Sequence, residues 1–196
     1  DEMFGVVCGL NNTKERLTVV IDKGMNAKGN FAWIDEHSRI HFVTTYSTYF
    51  SQDLAAVPLD RFEVVDLAKN RQLIDVERRV DCLQAFRTRG EYWGKDRVVV
   101  VTYNPRTARK KLHTFESKLE TIRQELLVMR AKVRDGAPHW RNGDDIKERY
   151  LRLCERLHIS SDHFVLQFER SGQSLSMGFR KDAYKLKQKR ALFGKN

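Results

Sequence analysis

The sequence has few cysteines and no long apolar run, and each absence excludes a class of protein. Among its 196 residues are 3 cysteines, Cys8, Cys82 and Cys154, which are scattered and odd in number. Their spacing supports neither a disulfide framework nor a zinc site, and predicts reduced thiols. No stretch approaches the roughly 20 apolar residues of a membrane-spanning helix, and no secretory signal pattern occurs. We therefore expect a cytoplasmic protein that does not span a membrane.

The sequence motifs of several enzyme classes are also missing. The 6 histidines lack the spacing of zinc ligands. There is no P-loop, no nucleophile elbow and no dinucleotide fingerprint. Because 41% of the residues are apolar, the chain can still bury a core.

A strand that runs into an acidic residue is the most informative local pattern. Residues 17–21 read Leu-Thr-Val-Val-Ile and end in a run of Val and Ile without polar alternation, which is typical of a strand covered on both faces in an α/β sheet. Gly24 then allows a turn, and Asn26 is predicted to be the N-cap of a helix over 27–34. Asp22 would stand at the carboxyl end of the strand, where ligands gather in open sheets.

Asp22 has two interpretations. A carboxylate at that position is a natural ligand for a hard divalent cation such as magnesium. Aspartate after a strand is also common in turns, because its side chain accepts hydrogen bonds from nearby backbone amides. Taken alone, the pattern favours the turn.

Two longer stretches resemble the DDE transposases of bacterial and archaeal insertion sequences. Residues 19–31 read Val-Val-Ile-Asp-Lys-Gly-Met-Asn-Ala-Lys-Gly-Asn-Phe and residues 40–43 read Ile-His-Phe-Val. Together they are similar to the segment around the second acid of that family. Residues 92–104 read Tyr-Trp-Gly-Lys-Asp-Arg-Val-Val-Val-Val-Thr-Tyr-Asn, and are similar to the insertion that many members carry before their final Glu.

The resemblance implies an RNase H-like fold in which Asp22 is the second metal-binding carboxylate of the catalytic site. It also implies a first Asp before Asp1 and a Glu beyond Asn196, so that the chain is expected to be an internal fragment that does not cleave DNA alone. With Mg²⁺ or Mn²⁺, the full-length enzymes of the family bind transposon ends. They catalyse the cleavage of DNA strands and their transfer to target DNA.

Positive charge is concentrated in two segments. The chain has 36 Lys and Arg against 26 Asp and Glu, and a net charge of +10. Residues 105–134 hold nine bases and three acids, and residues 180–196 hold seven bases and one acid. Localised bases suit DNA phosphate, although solvated helix faces are also often rich in Lys and Arg. The predicted DNA contacts are Lys23, Lys28, Arg106, Arg109, Lys110, Lys111, Lys185, Lys187, Lys189 and Arg190.

A strand is predicted over 97–103, and a long helix is predicted after it. The helix has one row of regularly spaced apolar residues, which we call its seam. Asn104 and Pro105 form a helix start. Apolar residues then repeat at alternating steps of four and three, at Ala108, Leu112, Phe115, Leu119, Ile122, Leu126, Met129 and Val133. The spacing recurs at Ile146, Tyr150, Leu153 and Leu157, which predicts an antiparallel helical hairpin over 105–158. Two interpretations stay open: the two seams bury each other, or the hairpin pairs two subunits in a homodimer.

The predicted class is α+β with three regions. Residues 1–60 are expected to be a partial RNase H-like region that carries Asp22. Residues 61–179 are expected to be an insertion domain, with strands near 61–65, 83–88, 163–170 and 175–180 around the hairpin. Residues 180–196 would form a basic helix that returns toward the catalytic region. The alternative to a transposase fragment is a non-catalytic DNA-binding or subunit-assembly module.

Overall fold

The computed structural model describes residues 16–45, 52–172 and 174–196. Helices and mixed sheets give the α+β class that the sequence predicts. The chain divides into two compact units. The first contains residues 1–65, 84–102 and 196, and the second contains residues 66–83 and 103–195. This division differs from the predicted one, because residues 84–102 group with the first unit and residues 180–195 group with the helical hairpin.

The first unit contains a strand–helix–strand crossover. Strand β1 (Leu17–Ile21) pairs in parallel with β2 (Ile40–Thr44), in the register Leu17 to Ile40. A 3-10 turn (Lys23–Met25) and helix α1 (Lys28–Glu36) connect the two strands, as parallel pairing requires. Both strands and the helix between them were predicted from the sequence.

Among the described residues, side chains cover one face of the β1–β2 pair. Phe31 and Ile34 of α1 are fully buried and pack with Ile21 in one apolar cluster. On the strands, Val20 and Val43 leave 80% and 57% of their surfaces exposed. The prediction that β1 is buried on both faces is therefore wrong for the structure described.

A second sheet completes the first unit. After helix α2 (Gln52–Ala55), strands β3 (Glu63–Val64), β4 (Gln84–Tyr92) and β5 (Lys95–Tyr103) form a sheet in the order β3-β4-β5. Trp93 and Gly94 join β4 to β5 with φ values of +52° and +77°. Positive φ at both positions is the requirement of a type I′ hairpin turn.

The second unit begins with a helix that the sequence patterns did not predict. Helix α3 (Ala68–Asp75) has a mostly polar sequence, and its buried residue is Asn70. The Asn70 amide donates to the carbonyl of Leu83 at 2.8 Å and accepts from its N–H at 2.9 Å. Because the buried residue of this helix is an asparagine that hydrogen-bonds to the backbone, the helix has no apolar periodicity that would predict it from the sequence.

The predicted helical hairpin is present. Helix α4 (Pro105–Arg134) starts as expected, because the Asn104 side chain accepts the N–H of Thr107 at 3.1 Å. Helix α5 (Gly143–Arg156) follows after a loop. Of the eight predicted seam residues of α4, all but Leu112 are buried.

The seam of α4 is buried within this chain. The two predicted strands, β6 (Phe164–Ser171) and β7 (Ser174–Lys181), pair as an antiparallel hairpin, and helix α6 (Ala183–Ala191) follows. One apolar cluster joins α4 to Tyr150 of α5, Phe164 of β6, Met177 of β7 and Leu186 of α6. The helical hairpin therefore packs on strands as well as on itself, and its seam needs no second subunit to cover it.

Candidate nucleic-acid interface

Asp22 lies at the carboxyl end of β1, where the sequence places it, and it caps a turn. Its side chain is exposed, and Oδ1 accepts the N–H of Gly24 at 3.3 Å at the start of the 3-10 turn. In the part of the chain that the structure describes, no group of three or more His, Cys, Asp or Glu side chains could hold a metal ion. Asp22 therefore belongs to no such group among these residues, and Mg²⁺ bound there would complete its shell with water and substrate phosphates as well as carboxylates.

Asn26 has a different role from the predicted one. The N-cap of α1 is Ala27, which makes no side-chain capping bond. The Asn26 amide instead donates to the carbonyl of Thr45 at 2.8 Å and accepts the hydroxyl of Thr44 at 2.7 Å. These bonds tie the turn after β1 to the end of β2, and so hold the carboxyl ends of the two parallel strands together.

The ten predicted DNA contacts divide between the two units. Lys23 and Lys28 are exposed in the first unit, beside Asp22 in sequence. The other eight lie in the second unit, four on the first two turns of α4 and four on α6.

The bases on α4 include two arginines that a buried carboxylate holds. The Asp81 side chain is only 4% exposed, and it pairs with Arg109, with Arg78 at 2.5 Å and with Arg106 at 3.7 Å. Hydrogen bonds from Arg109 and then Arg78 lower the pKa of Asp81. The Arg106 and Arg109 side chains remain 48% and 57% exposed. They are therefore oriented by the fold and still open to a ligand.

The bases on α6 are anchored at two points. Arg190 donates two hydrogen bonds to Oε1 of Glu116 on α4, at 2.9 and 2.6 Å. Lys185 lies 3.8 Å from a carboxylate oxygen of Asp162. The Arg190 pair brings α6 alongside α4, so that the two basic segments of the sequence meet in one unit. Sequence reasoning missed Asp81, Glu116 and Asp162, because an ion pair across distant segments leaves no local pattern.

Four predicted contacts have no ion-pair partner among the described residues. Lys110 and Lys111 are exposed on α4, and Lys187 and Lys189 are exposed on α6. Unpaired ammonium groups are free to neutralise an external anion. They are the strongest candidates in the set for contacts to phosphate.

The excess of positive charge lies in the second unit. The second unit holds 26 Lys and Arg against 15 Asp and Glu, and the first holds 10 against 11. The whole excess of positive charge therefore belongs to the unit that contains α4 and α6.

Trp93 is a packing residue of the first unit. Its ring stacks on Phe31, with ring centroids 3.8 Å apart and an interplanar angle of 25°. The indole therefore belongs to the apolar cluster beneath β1 and β2.

Comparisons with known proteins give no match. No protein-family model, no curated protein and no solved structure is significantly similar to this chain. Within the described residues, none of the helices combines the length and apolar character that crossing a membrane requires.

Proposed function

We propose that this chain is the DNA-binding part of a transposase of the DDE type, and that its second unit contacts the DNA. The observation that carries the proposal is the placement of charge. The second unit holds 26 bases against 15 acids, and the Arg190–Glu116 pair brings its two densest basic segments together. A protein that neutralises phosphates with Lys and Arg releases condensed counterions from DNA, and this release drives binding.

The four unpaired lysines are proposed to contact the phosphate backbone directly. Arg106 and Arg109 are proposed to contribute beside them, because Asp81 fixes their direction while leaving them exposed. Contacts of this kind position a protein on a duplex without reading its sequence. We therefore expect affinity for any duplex DNA, with a strong dependence on salt.

The catalytic part of the proposal concerns Asp22. Resemblance to the family and the position of Asp22 at the end of β1 support a role as one metal-binding carboxylate in cleavage and transfer of DNA strands. That role requires carboxylates in addition to the described residues near Asp22. We expect no cleavage by the 196-residue chain. In a longer protein that supplies those carboxylates, Asp22→Asn is expected to abolish cleavage and leave DNA binding intact.

The binding proposal is tested by removing the unpaired lysines. The variant Lys110→Gln, Lys111→Gln, Lys187→Gln, Lys189→Gln is compared with the unaltered chain on a duplex of about 30 base pairs, by fluorescence anisotropy at about 50 mM salt. We expect the affinity to fall by at least about 30-fold, because each lost phosphate contact removes the release of about one counterion.

A matched control removes the same charge elsewhere in the second unit. Lys69, Arg141, Lys147 and Arg170 are exposed and lie outside both basic segments, 105–134 and 180–196. Their replacement by Gln should weaken binding far less. Equal losses in the two variants would mean that net charge, and not this surface, determines the affinity, and would refute the proposal.

A subunit-assembly role is the second candidate, and exposed apolar residues favour it. Val76 and Val80, beside α3, leave 62% and 75% of their surfaces exposed. Exposed apolar side chains mark a protein contact when they belong to one large patch. Sedimentation equilibrium tests the role: a dimer that Val76→Ser with Val80→Ser converts to a monomer supports it, and a monomer at all concentrations excludes it.

A further inference from the structure

We propose a second DNA-contacting surface, along the side of the helical hairpin, formed by Lys111 and Lys132 of α4 and Arg149, Arg152 and Arg156 of α5. We call these five residues the lateral row. The inference rests on the proposed function, and it extends the DNA contact from the start of α4 to the far end of the hairpin.

The arginines of the row occupy one flank of α5. Arg149, Arg152 and Arg156 are spaced by three and four residues, so they follow one another along the same side of the helix. They line a groove of about 280 Å³ together with Glu125 and Met129 of α4. Helix α5 has as many acids as bases, but none of its acids is among the residues that line the groove. The neutral helix therefore presents a cationic flank to the groove.

The two lysines lie on the same side of α4 as the groove. Lys111 precedes Met129 by 18 residues, which is five complete helical turns. Lys132 lies over the ring of Trp140 at 4.9 Å, and Arg149 lies over the same ring at 4.8 Å. The ring of Trp140 therefore brings Arg149 of α5 next to Lys132 of α4, so the two belong to the same side of the hairpin.

The length of the row suits a duplex. From Lys111 to Lys132 the helix rises by about 32 Å, at 1.5 Å per residue. One strand of DNA advances by 3.4 Å per base pair, so the row matches about nine base pairs. Three acids adjoin it: Asp145 lies four residues before Arg149, Glu148 pairs with Arg152 at 2.5 Å, and Glu125 lies in the groove. Arg156 has no ion-pair partner among the described residues.

The test replaces the arginines and measures DNA affinity across salt concentrations. Arg149→Gln, Arg152→Gln, Arg156→Gln is compared with the control Arg134→Gln, Arg170→Gln, Arg180→Gln, on the same duplex of about 30 base pairs. Arg134 is a close match for Arg152, because each side chain is more than 70% exposed and forms one surface ion pair. We expect the row variant to bind DNA at least about tenfold more weakly than the unaltered chain. The slope of log K against log salt concentration should be smaller in magnitude by about 3.

The outcomes separate this inference from the proposed function. If the unaltered chain does not bind DNA, the proposed function fails, and the lateral row fails with it. If the chain binds and the row variant binds as tightly as the control variant, the lateral row is refuted while the contacts on the first turns of α4 and on α6 stand. Circular dichroism of both variants establishes that each is folded.

A substitution that removes an acid gives a second test with the opposite sign. Glu125→Gln takes a negative charge out of the groove, and should tighten DNA binding by about threefold, the effect of one unit charge near phosphate. Glu155→Gln removes the same charge from an exposed position of α5 away from the groove, and should change affinity less. Equal effects of the two substitutions would contradict the lateral row.

Discussion

Arg190 and Glu116 are 74 residues apart in sequence and form a two-bond ion pair between α6 and α4, with N–O distances of 2.9 and 2.6 Å. Each partner belongs to one of the two basic segments. The pair places an acid within the proposed DNA surface and occupies one of its arginines. Because both side chains are more than 40% exposed, the pair is expected to matter more for DNA binding than for stability.

Substitution of either partner of this pair should change DNA affinity in opposite directions. Glu116→Gln removes an acid and releases Arg190, so binding should tighten by about threefold. Arg190→Gln should weaken binding by a similar factor. The free energy of unfolding of each variant, measured by thermal denaturation, should differ from that of the unaltered chain by less than about 1 kcal/mol. Affinity changes of the same sign would contradict the placement of DNA against α4 and α6.

Gly194 is expected to tolerate no side chain. Its φ is +78°, and a Cβ there would lie 2.6 Å from the Cβ of Ala108 and 2.7 Å from the carbonyl oxygen of Asn104. The Gly194 carbonyl also accepts the N–H of Asn104 at 2.8 Å. Gly194→Ala should lower the free energy of unfolding by about 2–4 kcal/mol, from backbone strain and steric overlap together.

Gly172 supplies the control for this prediction. Its φ is +60°, and a Cβ there would meet nothing within 4 Å. Gly172→Ala should therefore cost only the backbone strain, about 1 kcal/mol. Denaturant unfolding of the two variants measures the difference, and equal costs would show that the close approach at Gly194 does not hold the end of the chain against α4.

The stack of Trp93 on Phe31 should stabilise the first unit. Trp93→Ala removes the indole from the cluster that includes Phe31 and Ile34. Because Trp93 is only partly buried, we expect a loss of about 2–3 kcal/mol, below the range for fully buried tryptophan. Trp93→Phe keeps an aromatic ring on Phe31 and should recover about half of the loss. Unfolding in urea, followed by circular dichroism, measures both.

His163 should make the second unit sensitive to acid. Its ring is buried edge-on against Phe115, and among the described residues neither ring nitrogen has a hydrogen-bond partner, although Nδ1 lies 3.5 Å from a carboxylate oxygen of Asp162. Burial lowers the pKa of His163 below its usual 6.5. The charged groups around it are Asp162, Asp182, Lys185 and Lys189.

The sign of this pH dependence follows from the lowered pKa. Between the folded pKa of His163 and 6.5, the unfolded chain binds more protons than the folded one, so stability is complete above 6.5 and falls as the pH drops through that window. His163→Phe keeps a ring of similar shape, and it should reduce the change in melting temperature between about pH 7.5 and pH 5. An unaltered slope in His163→Phe would contradict the prediction.

Local signals explain what the sequence predicted correctly. Strand β1, the start of α4 at Asn104 and Pro105, and the seam from Ala108 to Val133 depend on periodicity and capping within one segment. Those features survive in any tertiary context that buries the apolar side. The one exposed seam residue, Leu112, differs from its neighbours because of what packs around it, and not because of its spacing.

Tertiary contacts explain what the sequence could not predict. Helix α3 buries an asparagine rather than an apolar stripe. The carboxylate of Asp81 gathers arginines from two elements. Strands β3 and β4 pair with each other, although the residues between them in sequence, 66–83, belong to the other unit. A division of the chain into contiguous domains cannot describe this arrangement. Each of these depends on which distant segments meet.

The salt dependence of DNA binding by the unaltered 196-residue chain is the decisive measurement. Anisotropy titrations of a labelled duplex at salt concentrations from about 50 to 200 mM give the slope of log K against log salt. About six phosphate contacts on α4 and α6 predict a slope near −5, which the three arginines of the lateral row would steepen to about −8. No binding at the lowest salt, or an affinity that does not change with salt, would contradict a DNA-binding function for the second unit.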